Sequence, residues 1–203
     1  MGYKTEIITK DKIKTSNWSG GTTNEIYIYP NDSNYKDLNF KWRISSATVE
    51  LEHSTFTNLP KVYRYITTLE GSMDLCHNKG PLIHLEPFEV HGFSGDVNTE
   101  SFGTVTDFNL MIGPGCDGVM NALTLSEGSL LKLNLNKRKN RYSYHNYIFF
   151  SPNSDLTLTI DGNNISLPKN HTLIIESCEK DSLSSIEIAS SQPCNIISIE
   201  VGF

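Results

Sequence analysis

The sequence lacks a surplus of positive charge and a long apolar run. Its 203 residues contain 17 Lys and Arg against 23 Asp and Glu, a formal net charge of −6 at pH 7. A nucleic-acid-binding protein needs a basic face to neutralise phosphates, so nucleic acid is not expected as a partner. No segment approaches the roughly 18 consecutive apolar residues of a membrane span. The N-terminal segment has no apolar core of signal-peptide length, so we expect a cytoplasmic protein with no membrane partner.

The sequence also lacks the usual spacings of metal and redox motifs. Its four cysteines include no C-x-x-C pair, which predicts buried thiols rather than disulfides or zinc ligands. Its six histidines include neither an H-x-H nor a helical i, i+4 pair, so we expect no metal and no cofactor. We expect His77 and His84 to be exposed beside the turn at Gly80. Only His91, two residues before Phe93, is a candidate for facing a pocket.

Signatures of two functional classes are missing as well. No G-x-S-x-G segment is present, which leaves catalysis by a nucleophilic serine without support. The glycine-containing run 18–25 lacks the G-x-x-x-x-G-K-[ST] order of a phosphate-binding loop. The basic run 137–141 is followed by tyrosines that could stack bases. In an acidic chain, however, the run favours a charged hairpin tip.

Alternating apolar and polar residues indicate strands almost throughout the chain. The period of two is clearest over residues 25–29, 156–160, 185–189 and 195–201. Turn-forming residues separate the strand-like runs at short intervals, and Asp161-Gly162 is the clearest two-residue hairpin turn. This pattern predicts an all-β sandwich or barrel.

The organisation of the chain follows from one segment near its middle. Gly113-Pro114-Gly115 interrupts the strand pattern and favours two small β-barrels, over residues 1–115 and 116–203. Directly after it, Asp117 is a candidate cap for a short helix over residues 118–122. No residue repeat links the two halves.

Three strand-like stretches gather polar side chains on one face. Alternation puts Arg43 with Ser45 on one face, and Asp107 with Asn109 and Met111 on another. Arg64 points away from its two tyrosine neighbours. One interpretation is a barrel interior in which a guanidinium holds a carboxylate or amide ligand. The other is a solvated outer face with ordinary Arg–Asp pairs. The pattern alone favours neither of these two interpretations over the other.

Seven segments, taken in order, resemble the HutD/Ves family. They read W-S-G-G-T-T-N-E (18–25), W-R-I-S-S-A (42–47), F-T-N-L-P (56–60), R with L-E-G (64 and 69–71), P-F (87–88), F-S-G-D (93–96) and D-F-N-L-M (107–111). The motifs span residues 5–115, and the length agrees over the whole chain. The resemblance implies a bicupin, two cupin-like jelly-roll β-barrels in one bacterial, cytoplasmic chain.

The resemblance also implies a role. The HutD branch is linked to histidine utilisation and the Ves branch to stress response, without an assigned reaction. The usual proposal for the family is an accessory or regulatory protein that binds a small molecule such as a formylated or amidated glutamate. Ordinary cupins bind metal through an H-x-H and a later Glu and His, whereas residues 53–57 read H-S-T-F-T. This departure agrees with the absence of metal expected from the histidine spacing.

We therefore predict that the N-terminal barrel binds a small anionic metabolite. The predicted ligand-binding residues are Trp18, Glu25, Arg43, Ser45, Arg64, His91, Phe93, Asp107 and Asn109. Of these, Trp18 and Phe93 would be apolar walls. The alternative is a cupin-type enzyme acting on a small acid or sugar, either metal-dependent or a metal-free isomerase or hydrolase with Asp107, Glu25 or His91 as base. A third alternative is a structural partner protein, and a homodimer is left open.

Overall fold

The strands of this protein form two compact units. The computed structural model describes residues 2–135, 141–178 and 183–203, and strands make up 61% of the structure. The first unit is Lys12–Cys116, and the second unit combines Met1–Asp11 with Asp117–Phe203. The all-β class predicted from the alternation is confirmed. No helix in the described part of the chain is long and apolar enough to cross a membrane.

The first eleven strands run from the N-terminus to the end of the first unit, with a 3-10 turn at Lys10–Lys12. They are β1 Tyr3–Ile8, β2 Lys14–Trp18, β3 Gly21–Tyr29, β4 Trp42–Val49, β5 His53–Thr55, β6 Tyr63–Glu70, β7 Met73–His77, β8 Leu82–Leu85, β9 His91–Ser94, β10 Thr99–Phe102 and β11 Val105–Ile112.

Two antiparallel sheets build the first unit. The larger sheet has the order β2-β3-β4-β11-β6-β9 and the smaller one β5-β10-β7-β8. Ile66 and Phe93 from the larger sheet pack in one apolar core with Leu75 and Leu85 from the smaller sheet. Burying one face of each sheet against the other is the arrangement of a β-sandwich. It leaves the inward face of β4, β6 and β11 inside the unit.

The second unit repeats this plan with two other antiparallel sheets. Its further strands are β12 Asp117–Leu125, β13 Leu130–Asn134, β14 Tyr144–Phe150, β15 Leu156–Ile160, β16 Asn163–Leu167, β17 Thr172–Cys178, β18 Ser185–Ala189 and β19 Cys194–Gly202. The sheet orders are β1-β17-β14-β19-β12 and β13-β18-β15-β16. Phe149 and Ile175 from one sheet share a core with Leu158 and Ile188 from the other. Of the predicted hairpin tip at 137–141, residues 137–140 lie outside the described part of the chain.

The structure differs from the predicted division of the chain at the N-terminus. Strand β1 pairs with β17, from Tyr3 opposite Ser177 to Ile8 opposite Thr172. This ladder of backbone hydrogen bonds groups the first eleven residues with the second unit. A pairing partner more than 160 residues away leaves no local signal in the sequence.

One local prediction is confirmed and another is wrong. Asp161 and Gly162 join β15 to β16, and both have the positive φ that a two-residue hairpin turn requires. Residues 118–122, expected to be a short helix, lie instead within β12. That strand pairs with β19 along its whole length, from Asp117 to Leu125. Ladder pairing outweighs a local capping signal that nothing else supports.

Candidate functional site

A cavity of about 320 Å³ lies inside the first unit. Six of the predicted ligand-binding residues line it, namely Trp18, Arg43, Ser45, Arg64, Asp107 and Asn109. The other three, Glu25, His91 and Phe93, lie outside its lining, although Glu25 and Phe93 contact residues that line it. The cavity belongs to the size class that holds a small molecule.

Strand register sets the floor of the cavity. On β11, Met111 lies opposite Arg43 of β4 on one side and opposite Arg64 of β6 on the other. Asn109 follows two residues along the same face, and Asp107 two residues beyond it. Period-2 alternation predicted that Asp107, Asn109 and Met111 share one face of their strand, and all three line the cavity. The two guanidinium groups therefore start at one end of the floor and the carboxyl group at the other.

Arg43 has its charge compensated inside the protein. Its Nε donates to Glu25 Oε2 at 2.7 Å, an ion pair with both side chains largely buried. Its Nη1 donates to Ser45 Oγ at 3.0 Å and approaches Met111 Sδ at 3.7 Å. The guanidinium also lies 4.6 Å from the centre of the Tyr35 ring. Glu25, predicted as a ligand-binding residue, is thus the counter-ion of Arg43.

Arg64 has no such counter-ion. Its side chain is 6% exposed, and within the described residues no carboxylate forms an ion pair with it and no acceptor reaches its Nε. The guanidinium lies against two aromatic rings, 4.6 Å from the centre of Phe56 and 5.3 Å from that of Phe93. Burial lowers the pKa of Arg64 to about 10, so the group keeps its charge at neutral pH. A buried cation without an anion is energetically costly.

Asp107 is the second buried charge of the cavity. Its Oδ1 accepts the backbone N–H of Ala47 at 2.9 Å, and no other donor among the described residues reaches the carboxyl group. Burial raises the pKa of Asp107 to about 6, against the opposing effects of the Ala47 N–H and of the Arg64 and Arg43 charges. Asp107 is therefore mostly ionised at neutral pH and neutral in mild acid.

Asn109 lies between these charged groups and has an unused hydrogen-bond acceptor. Its side chain is 4% exposed, and its Oδ1 has no hydrogen-bond partner in the described part of the chain. A buried polar atom without a partner costs about 1–3 kcal/mol. The floor thus has a buried cation without a counter-ion, Arg64, and two groups with unused acceptor capacity, Asp107 and Asn109.

Trp18 extends from the cavity to the surface. Its side chain is 40% exposed and also lines the cavity. The indole lies directly over Gly20, where an added Cβ would overlap the Trp18 ring and come within 2.9 Å of Leu51 Cδ1. The first glycine of the W-S-G-G motif is therefore required for the position of the Trp18 ring.

His91 does not face the cavity and instead pairs with His77. The two Nε2 atoms are 2.9 Å apart, and the ring centres are 5.2 Å apart, so the two nitrogens point at each other. Thr99 Oγ1 donates to the Val97 carbonyl at 3.2 Å and accepts from His77 Nδ1 at 2.8 Å. This assigns His91 Nε2 as the donor to His77 Nε2. His84 is exposed as predicted, whereas His77 is half-buried.

This histidine pair predicts acid sensitivity of the first unit. Burial lowers the pKa of both imidazoles, and the charge of His91 lowers that of His77 further. At these two sites the native state therefore binds fewer protons than the unfolded state below about pH 6.5, so the contribution of the pair to the free energy of unfolding falls as pH decreases from 7 to 5. Asp107, whose pKa is raised, contributes in the opposite direction over the same interval. Urea unfolding followed by tryptophan fluorescence measures this, because both tryptophans belong to the first unit.

The His77→Gln/His91→Gln double variant should show a smaller decline of stability over the same pH range. His53→Gln is the matched control, since the His53 side chain is 52% exposed and its loss should leave the slope unchanged. A double variant with the slope of the wild type would contradict the prediction.

Ten residues that line the cavity were not among the predicted ligand-binding residues, and two of them place aromatic rings against the arginines. Tyr35 lies in a loop without a distinguishing pattern and reaches Arg43 only through the fold. Phe56 contacts Arg64 and begins the F-T-N-L-P segment, one of the seven that resemble the family. That resemblance was the one feature of the sequence that pointed to Phe56. Within the described ranges, no three His, Cys, Asp or Glu side chains converge on a point that could hold a metal ion.

Comparisons with known proteins agree on the family and on the fold. The HutD family model matches residues 10–192, while no curated protein sequence matches the chain. A conserved protein of unknown function from Pseudomonas aeruginosa PAO1 has a TM-score of 0.82 at 22% identity, covering 98% of this chain and 100% of that one. HutD from Pseudomonas fluorescens SBW25 has a TM-score of 0.67 at 19% identity, covering 97% and 98%.

A further structural relative is the bacterial pirin YhhW from Escherichia coli, solved in complex with nickel(II). Its TM-score is 0.67 at 9% identity, with 97% of this chain and 98% of that chain covered. At these identities the likeness concerns the fold alone, which is all-β with cupin-like neighbours.

Proposed function

The chain belongs to the HutD family, and from this membership and the geometry of the first unit we propose that the protein binds a small anionic metabolite. The observation that carries the proposal is Arg64, a buried guanidinium that faces a cavity and has no carboxylate partner among the described residues. An anion in the cavity would supply the missing counter-charge. Arg43, already paired with Glu25, would shape the cavity rather than bind the anion.

The energetics support a carboxylate as the anionic group. A buried charge without a partner costs several kcal/mol, and much of that cost is recovered when a counter-ion binds with good geometry. Guanidinium and carboxylate groups form short, charge-assisted hydrogen bonds. The unpartnered Nε of Arg64 is one donor for such a bond. Phe56 and Phe93 hold the guanidinium by stacking, so its orientation is fixed before the ligand binds.

The finer description of the protein belongs to the same proposal. We propose a bicupin in which each unit is one cupin-like barrel, acting in the cytoplasm as an accessory or regulatory protein of histidine utilisation. Two sheets packed face to face in each unit support the bicupin description. The structural likeness to HutD from Pseudomonas fluorescens supports only the shared fold. The link to histidine utilisation therefore depends on family membership.

A thermal-shift screen tests the proposal. Histidine, urocanate, formiminoglutamate and formylglutamate would be added to the wild type, to Arg64→Met and to Arg141→Met. We expect at least one acid to raise the unfolding midpoint of the wild type and of Arg141→Met, whose guanidinium side chain is 74% exposed. The same acid should leave Arg64→Met unshifted. A shift that survives in Arg64→Met would exclude Arg64 as the anion site.

Asp107 favours a second candidate function, an enzyme that acts on a small acid with Asp107 as base. A buried carboxyl group with a pKa near neutrality in a cavity is typical of acid–base catalysts. Incubating each bound acid with the wild type and following it by NMR separates the two candidates. Turnover by the wild type but not by Asp107→Asn would favour the enzyme, and an unchanged ligand would favour the binding protein.

A further inference from the structure

The cavity contains two buried charges of opposite sign that do not pair with each other. Arg64 and Asp107 both line it, and each is 6% exposed. No ion pair joins them or links either to another charged group among the described residues. Because Arg43 and Glu25 neutralise each other, these two charges dominate the electrostatics that a ligand would meet.

The strand register explains why the two charges stay apart. Arg64 lies opposite Met111, whereas Asp107 lies opposite Thr68, four residues further along β6. Four residues of strand span about 13 Å, and the side chains of Arg64 and Asp107 do not come within ion-pairing distance of each other. Asn109 lies between them with its Oδ1 unpartnered. The gap is therefore bounded by a cation at one end and by acceptors at the other.

We propose that the ligand carries a protonated nitrogen in addition to its carboxylate, and that Asp107 binds this nitrogen while Arg64 binds the carboxylate. This inference rests on the proposed function, because it assumes that an anion occupies the Arg64 end. Asn109 Oδ1 supplies a second acceptor for the same N–H group. A purely anionic ligand would place negative charge beside Asp107, whose only donor would still be the Ala47 N–H, and would leave Asn109 Oδ1 without a donor. Both effects are unfavourable in a buried site.

The proposal selects between acids that differ by a single group. N-formimino-L-glutamate and N-formyl-L-glutamate share one skeleton, but the first ends in a cationic amidine and the second in a neutral amide. L-Glutamate and 2-oxoglutarate differ in the same sense, an ammonium against a ketone. In at least one of these pairs, we expect the cationic member to bind at least tenfold more tightly at pH 7.5 by isothermal titration calorimetry.

Two measurements assign the preference to Asp107. Asp107→Asn keeps an acceptor for the Ala47 N–H and should bind both members of the pair within about twofold of each other. In the wild type the preference should disappear between pH 7.5 and pH 5, as Asp107 takes up a proton. The charged and titratable groups that face Asp107 are Arg64 on β6 and Arg43 on β4, the latter paired with Glu25 on β3 and stacked on Tyr35.

The outcomes separate this inference from the proposed function. If both members of each pair bind equally, or the neutral member binds more tightly, while Arg64→Met still abolishes binding, the inference is wrong and the proposed function stands. A preference that persists in Asp107→Asn also overturns it. If none of the four acids binds the wild type, the inferred protonated nitrogen is wrong. The assumption that the anion derives from an amino acid is then wrong as well. The pH series on the wild type keeps the test valid should Asp107→Asn fold poorly.

Discussion

Arg64→Met should make the first unit more stable while removing its anion site. Burial lowers the pKa of Arg64 to about 10, which corresponds to roughly 3 kcal/mol of unfavourable interaction for the charged form at pH 7. The variant would lose the contacts of the guanidinium with Phe56 and Phe93, about 0.5–1 kcal/mol each. The net expectation is a gain of about 1–2 kcal/mol. Urea unfolding at pH 7 followed by tryptophan fluorescence measures it.

Arg141→Met is the control for this experiment. The Arg141 side chain is 74% exposed and approaches Asp117 only at 3.9 Å, so its replacement should change the free energy of unfolding by less than about 0.5 kcal/mol. A clear loss of stability in Arg64→Met would show that an internal partner compensates the guanidinium in solution. The central observation of the proposed function would then be lost.

Asp107→Asn should stabilise the first unit at neutral and alkaline pH, with a gain that disappears in acid. The native pKa is raised to about 6, so the native state binds more protons than the unfolded state over the interval below it. Burial of the ionised carboxylate therefore costs stability as pH rises towards 6, and the full cost applies above that pH. Removing the charge should gain about 2–3 kcal/mol at pH 8, a figure that already includes the attraction of Arg64 and Arg43, and close to nothing near pH 4.

The control for Asp107→Asn is Asp96→Asn, in which the carboxyl group is exposed. The difference between the wild type and Asp96→Asn should be small at every pH between 4 and 8. A stability gain in Asp107→Asn that did not vary with pH would mean that the gain comes from packing rather than from the buried charge. That result would also weaken the electrostatic argument for a protonated nitrogen in the ligand.

Both predictions describe groups that lower the stability of the first unit. A side chain that destabilises the protein without a ligand, yet faces a cavity of small-molecule size, is easier to explain by binding than by folding. Arg43, on the same sheet, differs from Arg64 because Glu25 neutralises its charge. Its Nη1 also donates to Ser45 and approaches the Met111 sulfur. Arg43 and Arg64 both lie in strand-like stretches with polar residues on one face, yet we expect only Arg64 to bind the ligand.

The sequence made part of this site predictable, because strand geometry is local. Alternation places Ser45 beside Arg43 and Asn109 beside Asp107 on one face whatever the rest of the fold does. It cannot say whether that face is inside, and the acidic composition left both interpretations open. The burial of Arg43 and Arg64 in the first unit decides for the interior.

The remaining contacts depend on segments that are distant in the chain. The Arg43–Glu25 pair forms across β3 and β4, where a register irregularity between Glu25 and Tyr27 interrupts the alternation. The His77–His91 hydrogen bond joins strands of two different sheets. Neither follows from residue spacing, which explains why Glu25 and His91 were placed in the cavity lining.

The pairing of β1 with β17 imposes an order on folding during synthesis. The first unit is continuous in sequence, and all its strands have been translated by residue 116. Strand β1 is synthesised before the first unit, yet its partner strand begins only at Thr172. We therefore expect the first unit of a nascent chain to acquire protease resistance early, while β1 stays unpaired until β17 has been translated.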